Sequence, residues 1–421
     1  MKAHVERASE VERLLIIGNG MASVRFCEEL AARAPHRFAV TVVGAEPRAG
    51  YNRVLLSALL SGDVGEAGIA LRDEGWYRAH GFRLITGRRV EALDLAARAA
   101  TLSDGAKIAF DRVVFATGST AFRLPVPGMS LPGVMTFRDF DDVPRLREAA
   151  RERRRVAVIG GGLLGIEAAY GLAKGGAEVT LVHVMDRLME RQLDPRSASF
   201  LKRAIERKGV RVRLKAGTTA VTGETQAEGL VFADGSQLAA DLVVVAVGVR
   251  PNVALAQVAG IGVGRGIKVD DELTADAPFV HAIGECAEHR GAVYGLVEPA
   301  YDQASVLARR LTGEARARYE GAALATNLKV SGVPVFSAGE IDCGPGVETM
   351  SFEDRAFGIC KTLRLRDDRL VGAVLVGEAD DALWYRDLIR QGADVTPFRE
   401  SLIFGRAFCG LDGEPVIKEA A

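Results

Sequence analysis

Short runs of consecutive apolar residues recur along the chain, each ending in glycine and giving way to a segment apolar at every third or fourth position. "LLIIGNG" at 14–20 runs into "SVRFCEELAARA", and "VAVIGGGLLGIE" at 156–167 runs into "GIEAAYGLAKGG". The first pattern is that of a buried strand and the second that of an amphipathic helix. Aligning the two turns pairs Gly18 with Gly160, Gly20 with Gly162 and Ser23 with Gly165. The correspondence continues downstream, where "VVFATGS" (113–119) matches "VVVAVGV" (243–249). Between these landmarks lie "FAVTVVGAE" (38–46), "EVTLVHV" (178–184) and "VRVRLKAG" (210–217), which suit βαβ units around a mostly parallel sheet. The spacing predicts an α/β protein with two doubly wound domains. After residue 321, "TNLKVSGVPVFSAGE" and "KTLRLRDDRLVGAVLVGEADDALWYRDLIRQG" predict strands and an amphipathic helix, hence a small α+β C-terminal domain.

A strand–glycine turn–helix unit has a physical use. Its first glycine permits the tight turn, its second lets backbone amides approach a pyrophosphate, and its third lets helix and strand pack, with the helix N-terminus facing the anion. One such turn can simply close a loop, whereas two matched turns imply two dinucleotides. A ribose calls for an acceptor at the end of the next strand, and Glu46 suits the first dinucleotide, an exposed loop carboxylate being the alternative. In the second copy His183 stands roughly where that acid would be, followed by Asp186 and Arg187. An acid there favours NADH, while Arg187 suits a 2′-phosphate.

Composition narrows the classes. A chain of 421 residues with 48% apolar content can fill two or three cores. Its 54 basic and 55 acidic residues nearly cancel, giving no global attraction for nucleic acid or anionic lipid. The N-terminus "MKAHVERASEVER" is polar and no run approaches a membrane span, so the expectation is a soluble, cytoplasmic protein that engages neither membrane nor nucleic acid. The five cysteines lie far apart and the six histidines show no metal spacing, so no metal site is expected; Cys286 and His289 read as packing.

The motifs "IIGNGMAS", "VVFATGS", "VIGGGLLGIE", "VVVAVGVRPN" and "TADAPFVHAIGEC" (274–286), in this order, resemble the two-dinucleotide flavoprotein reductases of the pyridine nucleotide–disulfide oxidoreductase superfamily. "GAEPRAGYNRVLLSALLSG" (44–62), "VMDRLMERQLD" (184–194), "AIGECAEHRGAVYGLVEPAYDQA" (282–304) and "LKVSGVPVFSAGE" (328–340) carry a narrower likeness. They resemble the flavin-bearing N-terminal part of the NAD(P)H nitrite reductase large subunit, and the electron-transfer subunit of assimilatory nitrate reductase. The resemblance implies two Rossmann-like domains, FAD-binding (1–122 with 249–320) and NAD(P)H-binding (123–248), before the C-terminal domain (321–421).

For FAD the resemblance implies contacts from Gly18, Gly20, Met21, Ala22 and Ser23 in the first turn, and from Glu46, Asn52 and Arg53. Thr117, Gly118, Ser119 and Arg123 follow, then Gly284 with the ribityl acid Glu285. Gly295, Leu296 and Val297 lead into a helix whose N-terminus points at the flavin pyrimidine. For NADH, with NADPH possible, it implies Gly160, Gly162, Leu163, Leu164, Gly165, His183, Asp186, Arg187 and Gly248. Glu167 is the catalytic candidate, a carboxylate between nicotinamide amide and flavin; the alternative is an ordinary acid favoured by the helix dipole. Disulfide reductases of the superfamily carry CxxxxC where this chain has "YNRVLLSALL", with Ser57 near the cysteine position. Relatives among ferredoxin reductases carry Lys where this chain has Ala58.

Electrons are then expected to leave through the flavin without a thiol relay. The expected activity is transfer from NADH via FAD to a separate acceptor protein, an iron–sulfur protein or a sirohaem or molybdenum reductase component. A ferredoxin- or rubredoxin-type reductase and a regulatory flavoprotein with structural FAD are the alternatives. "RERRR" (151–155) reads as a solvated helix end or a patch for an acidic partner, and the oligomeric state stays open.

Overall fold

The computed structural model describes residues 11–152, 155–322 and 325–410. Its contacts resolve into two compact units: residues 1–122, 138–140 and 249–322, and residues 123–137, 141–248 and 323–421. Residues 153 and 154 of "RERRR" and residues 1–10 of the polar N-terminus lie outside the described residues.

The first unit is built on a five-stranded parallel sheet in the order Val280–Ala282, Arg112–Phe115, Glu12–Ile17, Phe38–Val43, Arg83–Ile85. Its central strands are continuous apolar runs because parallel strands are covered on both faces. Ile16, Val42, Val113, Val114 and Phe115 lose all or nearly all exposure, as do Phe26 and Tyr77 on the helices above. Helices Met21–Arg33 and Val297–Leu311 pack against one another. An antiparallel meander, Val90–Asp94, Ala99–Leu102 and Lys107–Ala109, interrupts the parallel topology.

The second unit repeats this plan with the order Arg211–Arg213, Glu178–Val182, Arg155–Ile159, Leu242–Val245, Val134–Thr136. It has its own meander, Thr218–Thr222, Gly229–Phe232 and Gln237–Ala239. The repeat is not complete. The fifth strand comes from after the meander in the first unit (Val280–Ala282) and from before the glycine turn in the second (Val134–Thr136). Residues 325–393 supply the strands and the helix Ala382–Gln391 that the alternation predicts, the five strands pairing as an antiparallel sheet. The helix Pro195–Arg207, capped by Asp194, rests on the strands Ile359–Arg366 and Arg369–Val376 of that sheet.

Candidate functional site

The two glycine turns are superimposable in their constraints. Gly18 has φ +111° and Gly160 φ +122°. A Cβ at Gly18 would stand 2.1 Å from the Ala116 carbonyl oxygen, and one at Gly160 would stand 2.2 Å from that of Ala246. Each first glycine therefore fails any substitution twice, by backbone and by space. The second glycines differ: a Cβ on Gly20 or Gly162 would meet nothing within 4 Å. These residues are the N-caps of the helices Met21–Arg33 and Leu163–Lys174 and offer no side-chain cap, so the first amides, on Met21, Ala22, Leu163 and Leu164, have no partner within the helix. At the third position a Gly165 Cβ would sit 1.9 Å from the Gly160 carbonyl oxygen, whereas the first copy accommodates Ser23, fully buried.

Around the first turn the chain forms a cleft lined by Gly18, Gly20, Gly44, Glu46, Tyr51, Arg53 and Thr117–Ser119. Glu46 accepts hydrogen bonds from Tyr51 Oη (2.8 Å) and from the Arg53 guanidinium. Arg53 also pairs with Asp139 and donates to the Arg138 carbonyl at 3.1 Å. Burial works against the Arg53 charge, but Tyr51, Glu46 and Asp139 hold its pKa above the ordinary value. Burial also pushes the Tyr51 hydroxyl up. A carboxylate has about four acceptor positions, so Glu46 keeps capacity for ribose hydroxyls. Asn52 is spent locally, its side chain accepting from the Val54 amide to cap a short helix.

At the far side of the cleft, Thr117 Oγ1 donates to the Asn252 carbonyl (2.9 Å) while Asn252 Nδ2 donates to the Thr117 carbonyl (2.8 Å). Ser119 Oγ donates to Glu285 at 2.7 Å, and Arg138 bonds both Ser119 (2.9 Å) and Glu285. Gly284, with φ +77°, is held through its amide by Gln303 Oε1 at 2.7 Å. The helix Val297–Leu311 begins directly after Gly295 and Leu296, as expected. Sequence reasoning missed Tyr51, Arg138 and Gln303. Arg138 carries no local signal, because it lies on a three-residue return of the chain to the first unit.

In the second unit, register fixes which residues correspond. Ile17 pairs with Val43 and Ile159 with Val182, so His183 occupies the place of Gly44, and Met185 that of Glu46. His183 is thus two residues short of the ribose-acid position and is buried, with Gly161 and Glu190 on its two ring nitrogens. Val184, Met185 and Asp186 are the exposed residues at this strand end. Arg187 spends its guanidinium on the carbonyls of Leu193 (3.1 Å) and Glu190 (3.3 Å) and on Asp186. Glu167 is half-buried on the helix Leu163–Lys174, Gly248 adopts φ +109°, and Arg123 reaches the Met129 carbonyl.

No cysteine lines the cleft. Cys27, Cys286 and Cys360 are buried, Cys343 is exposed, and Ser57 donates to the Val54 carbonyl. Among the described residues no group of His, Cys, Asp or Glu is arranged to hold a metal; His289 pairs with Asp271 at 2.8 Å.

A glycine turn with open space at its second glycine, an acid at the next strand end and a second acid held by Ser119 fit FAD in the first unit. Comparison with known proteins agrees. Residues 12–304 match the pyridine nucleotide-disulphide oxidoreductase family, and residues 325–393 match the rubredoxin NAD+ reductase C-terminal domain. The chain is 42% identical to nitrite reductase [NAD(P)H] of Bacillus subtilis over 91% of its own length and 48% of that protein. It is 38% identical to the assimilatory nitrate reductase electron transfer subunit of the same organism, covering 93% of itself and 51% of the relative. It thus spans about half the length of these two curated relatives. Ferredoxin reductase for the CYP199A2 system from Rhodopseudomonas palustris superposes with a TM-score of 0.82 at 28% identity, over 91% of this chain and 96% of that one.

Proposed function

Because the chain belongs to the pyridine nucleotide-disulphide oxidoreductase family, we propose that it is an FAD-dependent NAD(P)H oxidoreductase passing electrons to a separate redox protein of nitrite or nitrate assimilation. The observation that carries the reading is the pair of equivalent glycine turns, each open at its second glycine, in two separate units. The first unit binds FAD and the second the pyridine nucleotide. FAD held there would supply the capacity to take a hydride from a nicotinamide and pass its electrons on to the partner.

The chain's own residues bind and orient. The amides of Met21 and Ala22 take the FAD pyrophosphate, Glu46 its ribose, and Glu285 its ribityl chain, with Ser119 and Arg138 fixing the Glu285 carboxylate. The amides of Leu163 and Leu164 take the pyrophosphate of the pyridine nucleotide. No thiol stands in the cleft, so no covalent relay on the protein enters the reaction. A cytoplasmic location belongs to the same proposal; among the described residues no helix is long and apolar enough to cross a membrane.

A second reading, a ferredoxin or rubredoxin reductase, is favoured by the match of residues 325–393 and by a ferredoxin reductase that the chain covers over 96% of its length. Anaerobic mixing with NADH tests the shared part: purified yellow protein loses its flavin absorbance. Reoxidation by a sirohaem nitrite reductase component, against reoxidation by rubredoxin or a ferredoxin, then separates the readings. Protein that binds no FAD, or whose FAD neither NADH nor NADPH reduces, overturns both.

A further inference from the structure

The two halves fill the same space in opposite ways. In the first turn the residue after the leading glycine is Asn19 and the facing strand-end residue is Gly44, whose added Cβ would meet Asn19 Cβ at 2.9 Å. In the second turn the residue after the leading glycine is Gly161 and the facing residue is His183, and a Gly161 Cβ would meet His183 Cγ at 2.5 Å. The bulky side chain has moved from turn to strand end. With that exchange the second turn gains a polar contact: the Gly161 amide donates to His183 Nδ1 at 3.0 Å, in a buried setting.

This bond requires one tautomer. Nδ1 accepts, so it carries no proton, and the ring proton sits on Nε2. Nε2 faces Glu190 Oε2 at 3.0 Å, and the carboxylate accepts that proton's hydrogen bond. The loop bearing Glu190 is itself tied to the turn, since the Met189 amide donates to the Gly161 carbonyl at 2.9 Å. Met189 adopts φ +50°, a left-handed conformation that a non-glycine residue holds only when its surroundings impose it. Arg187 braces the loop through the carbonyls of Glu190 and Leu193.

We propose that Glu190, acting through His183, is a positioning residue for the pyridine nucleotide: it holds the imidazole in the tautomer that accepts from Gly161, and so sets the backbone of the pyrophosphate-binding turn. The inference rests on the function proposed above. Without the Glu190 acceptor the ring is free to place its proton on Nδ1, where it confronts the Gly161 amide donor to donor, and the turn loses its anchor. A side chain that still accepts at Nε2 preserves the arrangement whether or not it is charged.

The test uses full-length, FAD-loaded protein with NADH as donor and ferricyanide as acceptor. E190A raises KM for NADH about fivefold, the equivalent of one lost hydrogen bond, with kcat near wild type and FAD content unchanged. E190Q, whose amide oxygen can accept from Nε2, stays within about twofold of wild type. Should E190A melt early, E190M keeps the bulk, removes the acceptor and gives the same reading. A wild-type KM in E190A, or an equal rise in E190A and E190Q, overturns the inference while leaving the function standing. A wild type that neither NADH nor NADPH reduces overturns the function and the inference together.

Discussion

Arg138 grips the carboxylate of Glu285 across 147 residues of chain, and the same guanidinium nitrogen bonds Ser119 Oγ. Three residues, 138–140, leave the second unit's stretch of sequence to make this contact in the first. Both side chains are largely shielded, so the pair is a charge-assisted bond of the stronger kind.

Removing Arg138 therefore frees the acid from its orientation. We expect Arg138→Ala to weaken FAD retention roughly tenfold or more, and Glu285→Ala to do the same. The double variant should be no worse than the weaker single, because both changes delete one contact. Flavin fluorescence on dilution reads the dissociation constant. Additive losses would show that the two residues act independently.

The glycines of each turn should fail in different ways. Gly18→Ala and Gly160→Ala introduce a Cβ at 2.1–2.2 Å from a carbonyl oxygen at positive φ, and should lower the unfolding midpoint. Gly20→Ala and Gly162→Ala place their Cβ in open space. They should fold normally, with the first losing FAD and the second retaining it while its KM for NADH rises. Calorimetry with flavin quantification distinguishes these outcomes, and a destabilised Gly162→Ala would contradict them.

Nucleotide preference follows from the occupied guanidinium of Arg187. With that cation braced on its own loop and Asp186 exposed beside it, a 2′-phosphate meets repulsion and no available fork. We expect NADH to be preferred on the order of tenfold in kcat/KM, about 1.4 kcal/mol, and Asp186→Ala to narrow the gap. Steady-state rates with both nucleotides check this, and an NADPH preference in the wild type would refute it.

His281 sets a pH limit on the first unit. Burial, with Arg112 nearby, depresses its pKa to about 4, while Thr274 Oγ1 lies 3.2 Å from Nδ1. The neutral ring is favoured in the folded state, so its contribution is fully present above the unfolded value of about 6.5 and is lost as pH falls toward 4. The loss approaches about 3 kcal/mol. Urea midpoints measured from pH 7 to 4 should fall less steeply for His281→Gln than for wild type; parallel slopes would remove His281 from the account.

The thiols should be spectators. Cys343 is exposed, whereas burial raises the Cys27 and Cys286 thiols out of the reactive range. A polar maleimide should modify Cys343 before either of them without slowing dye reduction by NADH. Loss of rate on that modification would reveal a thiol in the path.

The sequence by itself determined the two mostly parallel sheets, both glycine turns, the helix after Leu296 and the strands and helix of the C-terminal domain. Each is written in local periodicity, in the residue types a positive φ demands, and in spacing along the chain. Glu46 and Ser119, which line the cleft, could be singled out for the same reason, since each follows a strand end, whereas Arg53 was singled out by the family resemblance alone. The tertiary structure alone decided the partners. Nothing near "TFRDF" announces that Arg138 crosses to Glu285, and nothing in "VTLVHVMDR" shows His183 two positions short of the ribose acid and turned beneath Gly161. Strand register counts from the paired residue on the neighbouring strand, and side-chain contacts depend on which distant segments that register brings together; periodicity within one segment contains neither.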